Sequence, residues 1–130
     1  MITYTTDLTG VRAGDLDGFF EGWPRRPSRE RSSSILSSSY RTVLAFDGGH
    51  LIGLITAISD GVASAHITFL EVLASYRRRG IGSELVTRML SELADLYAVD
   101  VMCDADLVSF YERFGLTPLV GMARRVPENL

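Results

Sequence analysis

Apolar residues follow two rhythms along this chain, and each rhythm predicts an element. From 85 to 97, Leu85, Val86, Met89, Leu90, Leu93, Leu96 and Tyr97 keep the i, i+3, i+4 spacing of one buried helical face. Thr42–Phe46 and Leu51–Ile58 are apolar runs on either side of Asp47-Gly48-Gly49, the signature of a β-hairpin. The second run is apolar at nearly every position, so both of its faces are expected to be covered. His66–Leu73 and Val99–Cys103 predict strands that flank the helix. A strand–helix–strand unit of that length implies a right-handed crossover and parallel pairing. Ile2–Thr5 predicts a first strand and Leu119–Val126 a last one.

The segment between the first strand and the hairpin is less patterned. Asp15–Glu21 predicts a short helix with Phe19 and Phe20 turned inward. Gly22–Pro27 reads as a loop, because Pro24 and Pro27 exclude regular structure there. Ser28 is followed by six more serines up to Ser39. That composition fits a flexible linker, and it equally fits a helix capped by Ser28 with Ile35 and Leu36 as its contact point.

Between the strand ending at Leu73 and the long helix stand Arg77-Arg78-Arg79-Gly80-Ile81-Gly82. A helix that opens at glycines leaves its first N–H groups without intrahelical partners, and its dipole adds positive potential at that end. Glycine lets an anion approach closely, and arginines supply charge around it, so the junction reads as a phosphate cradle. The competing account is a surface turn whose arginines are merely solvated. A P-loop is excluded because the chain contains no lysine, and a dinucleotide fingerprint because Leu85 stands where a third glycine or alanine would be needed. The remaining pattern, Arg77-x-x-Gly80-x-Gly82, resembles the pyrophosphate-binding motif of the GCN5-related N-acetyltransferases, the GNAT family. Leu70-Glu71-Val72 looks like the end of that family's fourth strand, and Tyr76-Arg77 like its strand-to-helix turn. Ala74 stands where proline is frequent and Arg78 where glycine is frequent; neither removes a backbone donor.

A second block follows in register. After Val99–Cys103 come Asp104-Ala105-Asp106, with Asp106 a plausible helix cap, and then Leu107–Phe114, closed by Gly115 in the role of a left-handed terminator. Phe110-Tyr111-x-x-Phe114-Gly115-Leu116 is similar to the family's last conserved helix, whose tyrosine stands beside the thioester sulfur. Together the two blocks cover about half of the chain. The resemblance implies an α/β fold of the α+β mixed-sheet kind over residues 1–130: a twisted sheet of about six strands, mostly antiparallel, with a parallel, splayed fourth and fifth pair joined by a crossover helix. It also favours the helix over the linker for Ser28–Ser39. The family usually ends in a two-strand hairpin, for which this chain looks too short.

The same resemblance implies acetyl-CoA as co-substrate and transfer of its acetyl group to a primary amine of a small molecule or peptide. The pyrophosphate would lie on the N–H groups of Arg79, Gly80, Ile81, Gly82 and Ser83, with Arg77 and Arg78 beside them. The pantetheine arm would run along Val72 and Leu73, and the N–H of one of those two would polarise the thioester carbonyl. Glu71 is the candidate base, since a carboxylate amid Phe69, Leu70 and Val72 gains a higher pKa from partial burial. Its alternatives are an outward-facing strand residue or a partner for one of Arg77–Arg79. Tyr111 is the candidate acid that neutralises the departing thiolate, although it shares a helical stripe with Leu107 and Phe114 where tyrosine often only packs. A non-catalytic acyl-CoA-binding module is the rival of a different class, and dimerisation is common among similar proteins.

Composition changes this picture little. At 130 residues and 46% apolar content there is material for one packed core. No apolar run approaches the roughly 18 residues of a membrane span, and the start of the chain does not read as a signal peptide. A net charge of −3 argues against nucleic acid as a general partner. The single Cys103 excludes an internal disulfide and fits a reducing, cytoplasmic setting. All 13 cationic side chains are arginine, which fits a GC-rich coding bias. His66 and His50 support no metal site. Trp23, Arg25 and Arg26 fall in the region that in the family roofs the acceptor pocket, and Asp60 could attract a cationic amine.

Overall fold

The computed structural model describes all 130 residues. Strands β1 (Ile2–Thr5), β2 (Arg41–Asp47), β3 (His50–Ser59), β4 (Ser64–Val72) and β5 (Ala98–Val101) form one sheet in sequential order. Every neighbouring pair is antiparallel except β4 and β5, which are parallel. Helix α2 (Ile81–Glu92) makes the crossover between them. The β2–β3 hairpin turns at Gly48 and Gly49, both with positive φ, as its glycines predict.

The sheet is buried on both faces. On one, Val43, Ala45, Ile52, Ile55 and Ile67 pack against Ile81, Leu85, Val86 and Met89 of α2. On the other, Leu44, Leu51 and Leu54 pack under Leu16, Phe19, Phe20 and Leu36. Leu51 through Ala57 of β3 are all buried, which is why that strand carries no polar face. The serine-rich segment is a helix, α1 (Arg29–Ser38), capped as expected: the Ser28 hydroxyl oxygen accepts the Arg31 N–H at 3.1 Å. Leu36 is its buried anchor, and the serines lie mostly on its solvent side.

Four expectations need correction. The sheet has five strands, not about six: Leu119–Val126 makes no backbone ladder with any strand, and a strand needs a ladder partner. Asp15–Glu21 is not a helix; a 3-10 turn (Ala13–Leu16) gives way to tight turns in which Phe20 has φ of 62°. Phe19 and Phe20 are nonetheless buried, so the inward placement holds while the local geometry differs. Helix α2 stops at Leu93, and Tyr97, which continued the apolar rhythm, is 95% exposed. Asp106 caps nothing; a 3-10 turn (Ala105–Leu107) leads directly into a short helix, α3 (Val108–Glu112). Gly115 closes that helix with φ of 85°, as expected.

Leu85 sits at the centre of the α2 contact, fully buried. Leu85→Ala is expected to lower unfolding free energy by about 2–5 kcal/mol in denaturant titration, the range for truncating a buried leucine.

Candidate active site

The site is made by one strand losing a neighbour. β4 stays paired with β3 along its whole length, ending at Val72 opposite Gly53. Its pairing with β5 stops at Ile67 opposite Val101. At that point β4 carries a bulge: Ala57 pairs with Ile67 and Thr56 with Phe69, so Thr68 is the extra residue. The Thr68 hydroxyl lies 2.7 Å from that of Thr56 and donates to the Thr56 carbonyl at 3.2 Å, which fixes the bulge. From Thr68 onward the edge of β4 that would face β5 is open.

Which backbone groups face the opening follows from alternation. The Leu73 N–H donates to the Ile52 carbonyl at 2.9 Å, so Leu73, Glu71 and Phe69 direct their peptide groups toward β3. Leu70 and Val72 direct theirs into the gap. The Leu73 N–H is therefore committed to the sheet, which takes it out of the two candidates for a carbonyl-polarising donor; the N–H groups of Val72 and Leu70 face the gap. The Val72 carbonyl accepts from Arg77 Nε at 3.0 Å, tying the next turn to the strand end.

Beyond Val72 a 3-10 turn (Ala74–Tyr76) leads to Arg77, and the chain then passes through two left-handed residues, Arg78 with φ of 63° and Gly80 with φ of 80°. The N–H groups of residues 78 through 83 make no hydrogen bond within the protein. Six consecutive bare donors at a helix mouth make an anion site of backbone alone. The Tyr76 hydroxyl donates to Asp47 at 2.8 Å, which anchors this turn to the β2–β3 hairpin. That bond holds the Asp47 carboxyl below the usual range and raises the Tyr76 phenol. The Arg79 guanidinium lies 5.0 Å from the centre of the Tyr76 ring. From the other side Arg113, just past the end of α3, donates to the Ser83 hydroxyl at 3.4 Å, and its guanidinium stacks 5.0 Å from the centre of Phe110. Arg113 lay inside the recognised block, but nothing in its spacing says that it turns toward Ser83.

A cleft of about 490 Å³ lies at the opening between β4 and β5. Glu71 and Tyr111 both line it, with Trp23, Phe69, Met102 and Arg125. Arg125 is an addition, a residue with no motif around it to mark it. Glu71 is half-buried, and burial pushes its pKa up against the opposing pull of a hydrogen bond and of Arg77. The hydrogen bond comes from the Phe20 N–H, 2.8 Å from Oε1. Glu71 is thus neither an outward strand residue nor directly paired with an arginine. It pins the loop in which Phe20, Trp23 and Phe69 form an aromatic group, with ring centres 4.6–5.8 Å apart. Tyr111 is 7% exposed, and burial first, then the neighbouring Cys103, raises its pKa, so it holds its proton. Asp60 does not join this group: its Oδ1 accepts the N–H groups of Val62, Ala63 and Ser64 and shapes a turn, and these bonds lower its pKa. Arg25 and Arg26 lie outside the cleft.

A five-stranded mixed sheet split between a parallel pair, with bare amides at the crossover helix, is the architecture of one enzyme class. The sequence pattern of the acetyltransferase (GNAT) family matches residues 8–116, and the chain belongs to that family. A Deinococcus radiodurans R1 protein assigned as an acetyltransferase is 47% identical, with a TM-score of 0.93 over 98% of this chain and 90% of its own. A GNAT family protein of Streptococcus pneumoniae TIGR4 is 28% identical, with a TM-score of 0.72 over 96% of this chain and 98% of its own. Part of the chain, 47% of it, is 39% identical over 64 residues to serotonin N-acetyltransferase of Mesocricetus auratus; the match spans 31% of that longer protein.

Arg78 occupies a left-handed conformation in which a Cβ is strained, a physical reason for the glycine that the family resemblance leads one to expect there. Arg78→Gly is expected to relieve that strain and leave stability equal or higher by up to about 1 kcal/mol, since glycine's looser unfolded chain offsets part of the gain. Thermal unfolding of the two proteins checks this.

Proposed function

We propose that this protein moves an acetyl group from acetyl-CoA to a primary amine by direct attack, with both substrates bound at once. The observation that carries the proposal is a continuous track: six free amides at residues 78–83, then the open edge of β4, then the cleft that holds Glu71 and Tyr111. The free amides, with Arg79 and Arg113 at the same mouth, suit a pyrophosphate. The unpaired groups of Leu70 and Val72 suit a pantetheine arm that adds as a strand would, and place an N–H where negative charge develops on the thioester oxygen.

The chain's side chains then divide the proton transfers. An amine reaches the cleft mostly as its ammonium form, so a proton must leave before nitrogen can bond to the acetyl carbon. Glu71 takes it; Oε1 is held by the Phe20 N–H, while Oε2 has no partner in the protein. As the new C–N bond forms and the C–S bond breaks, the nitrogen gives its second proton to solvent and the Tyr111 hydroxyl gives its proton to the sulfur, to be reprotonated from solvent afterwards. Burial keeps Tyr111 protonated until that moment, and the same effect makes Glu71 a stronger base than an exposed carboxylate. Trp23 and Phe69 beside Glu71 suit an amine carried on an apolar body. The partial similarity to a serotonin N-acetyltransferase supports an amine acceptor.

Acetyl-CoA is expected to raise the melting temperature, as a ligand specific to the folded state must. Tyr111→Phe is expected to keep that rise while thiol release with an accepted amine falls by about 10²–10⁴-fold. Glu71→Gln preserves an acceptor for the Phe20 N–H but cannot take a proton. Its rate is expected to fall, and the rise in rate with pH expected of the wild type, centred above the ordinary carboxylate range, to disappear. An unchanged profile removes Glu71 from the mechanism. A melting shift with no thiol release across a broad amine panel points instead to a non-catalytic acyl-CoA-binding module.

A further inference from the structure

A second cavity, of about 260 Å³, lies behind Phe20 and outside the cleft, between the 3-10 turn at Ala13–Leu16 and the start of α1. Leu16, Phe19 and Phe20 make its apolar floor, all of them buried, and Asp17, Arg26 and Arg29 stand exposed at its rim. The rim charges do not cancel. Asp17 accepts from Arg29, with Nε 2.9 Å from Oδ1; that bond first, then the charges of Arg29 and Arg26, hold its carboxyl below the ordinary range. Asp17 is therefore ionised at neutral pH, and two guanidinium groups against one carboxylate leave one positive charge over. Arg26, which makes no ion pair, is the free one.

One polar side chain in this cavity has nothing to bond. Ser32 is only 3% exposed, and its hydroxyl makes no hydrogen bond with the protein. The oxygen is not sealed in either, so what it faces is the cavity. One turn earlier, the Arg29 and Glu30 N–H groups also lack partners, because Ser28 takes only the N–H groups of Arg31 and Ser32. A buried hydroxyl, bare amides at a helix start and an unpaired guanidinium all suit a single anionic group. The floor decides the rest. An inorganic anion would leave the apolar surface unfilled, and an uncharged apolar molecule would leave Ser32 and Arg26 unanswered.

We propose that this cavity binds a small monocarboxylate with an apolar body, and that the bound acid steadies the loop carrying Trp23 to the cleft. The carboxylate lies at Arg26 and Ser32, and the body rests on Phe19 and Phe20. A volume of about 260 Å³ falls just below that of drug-sized pockets, which suits an acid no larger than an arylacetate. Phe20 joins this site to the other. It forms a wall of the cavity, its N–H holds Glu71, and its ring packs on Trp23 and Phe69 with centres 4.6 and 5.8 Å away. Its backbone is left-handed, with φ of 62°, a conformation that surrounding contacts must maintain. An occupant adds contacts to Phe20 and so holds that conformation more firmly. Neither effect requires acyl transfer, so both are tested without acetyl-CoA.

The test is calorimetric titration of the full chain with phenylacetate. It is expected to bind one to one, and phenylacetamide, which has the same shape and no charge, at least about tenfold more weakly. Arg26→Gln is expected to weaken phenylacetate about tenfold and Ser32→Ala about threefold. Arg26 is exposed and alanine is a good helix former, so circular dichroism should report an unchanged fold for both. With phenylacetate present, the Phe20 and Trp23 amides are expected to exchange more slowly with solvent; the first bonds Glu71 and the second the Phe20 carbonyl. No binding at millimolar phenylacetate overturns the site. So does equal binding of the amide, or two variants that bind as the wild type does, since the ligand then sits elsewhere. Binding that leaves both amides exchanging at their unliganded rate overturns the link to the cleft.

Discussion

One strand's divided loyalty shapes this molecule. β4 keeps β3 as a partner to its last residue but gives up β5 at the Thr68 bulge. Retaining β3 holds the strand rigid, because Gly53 through Ala57 are buried in a sheet covered on both faces. Losing β5 leaves the Leu70 peptide groups and the Val72 N–H unpaired in a place where water or a ligand must satisfy them, while the Val72 carbonyl takes Arg77 Nε instead. The bulge is stabilised by the paired hydroxyls of Thr56 and Thr68, not by apolar packing. The parallel strand cannot follow the kink, so the gap is a consequence of backbone count as much as of side-chain choice.

The fold was legible where burial imposes a period. α2 and the β2–β3 hairpin are visible because their apolar positions are dictated by a core that touches them on a fixed face. The failures share one cause, which is that local rhythm says nothing about partners. Tyr97 continues the helical spacing after the helix has lost the sheet beneath it. Leu119–Val126 has the residues of a strand but no neighbour within the chain to bond. Asp15–Glu21 was misread because Phe20 takes a left-handed backbone that no propensity favours; the Glu71 carboxylate on its N–H is a contact 51 residues away in sequence.

The site divides the same way. The cradle could be read because its chemistry is local: glycine, arginine and a helix start lie within a few positions of each other. The placement of Glu71 and Tyr111 in one cleft rested on likeness to other sequences, and the residues that likeness did not single out were missed. Arg113 and Arg125 reach the site from the end of α3 and from the C-terminal segment, and neither direction is written in their spacing. Glu71 shows why the two kinds of role are hard to separate from sequence. One carboxylate both fastens the aromatic loop and sits, half-buried, in the cleft where the proposed reaction calls for a base.

The helix mouth is surrounded by guanidinium groups, and the chain has no ammonium side chain anywhere. Guanidinium stays charged at any pH a protein tolerates, so attraction for a diphosphate does not fade in alkali and leaves carboxylate and phenol as the groups whose ionisation can shape catalysis. It is also a poor nucleophile. With no lysine in the chain, no side-chain amine of the protein itself could compete with an acceptor in the proposed acyl transfer.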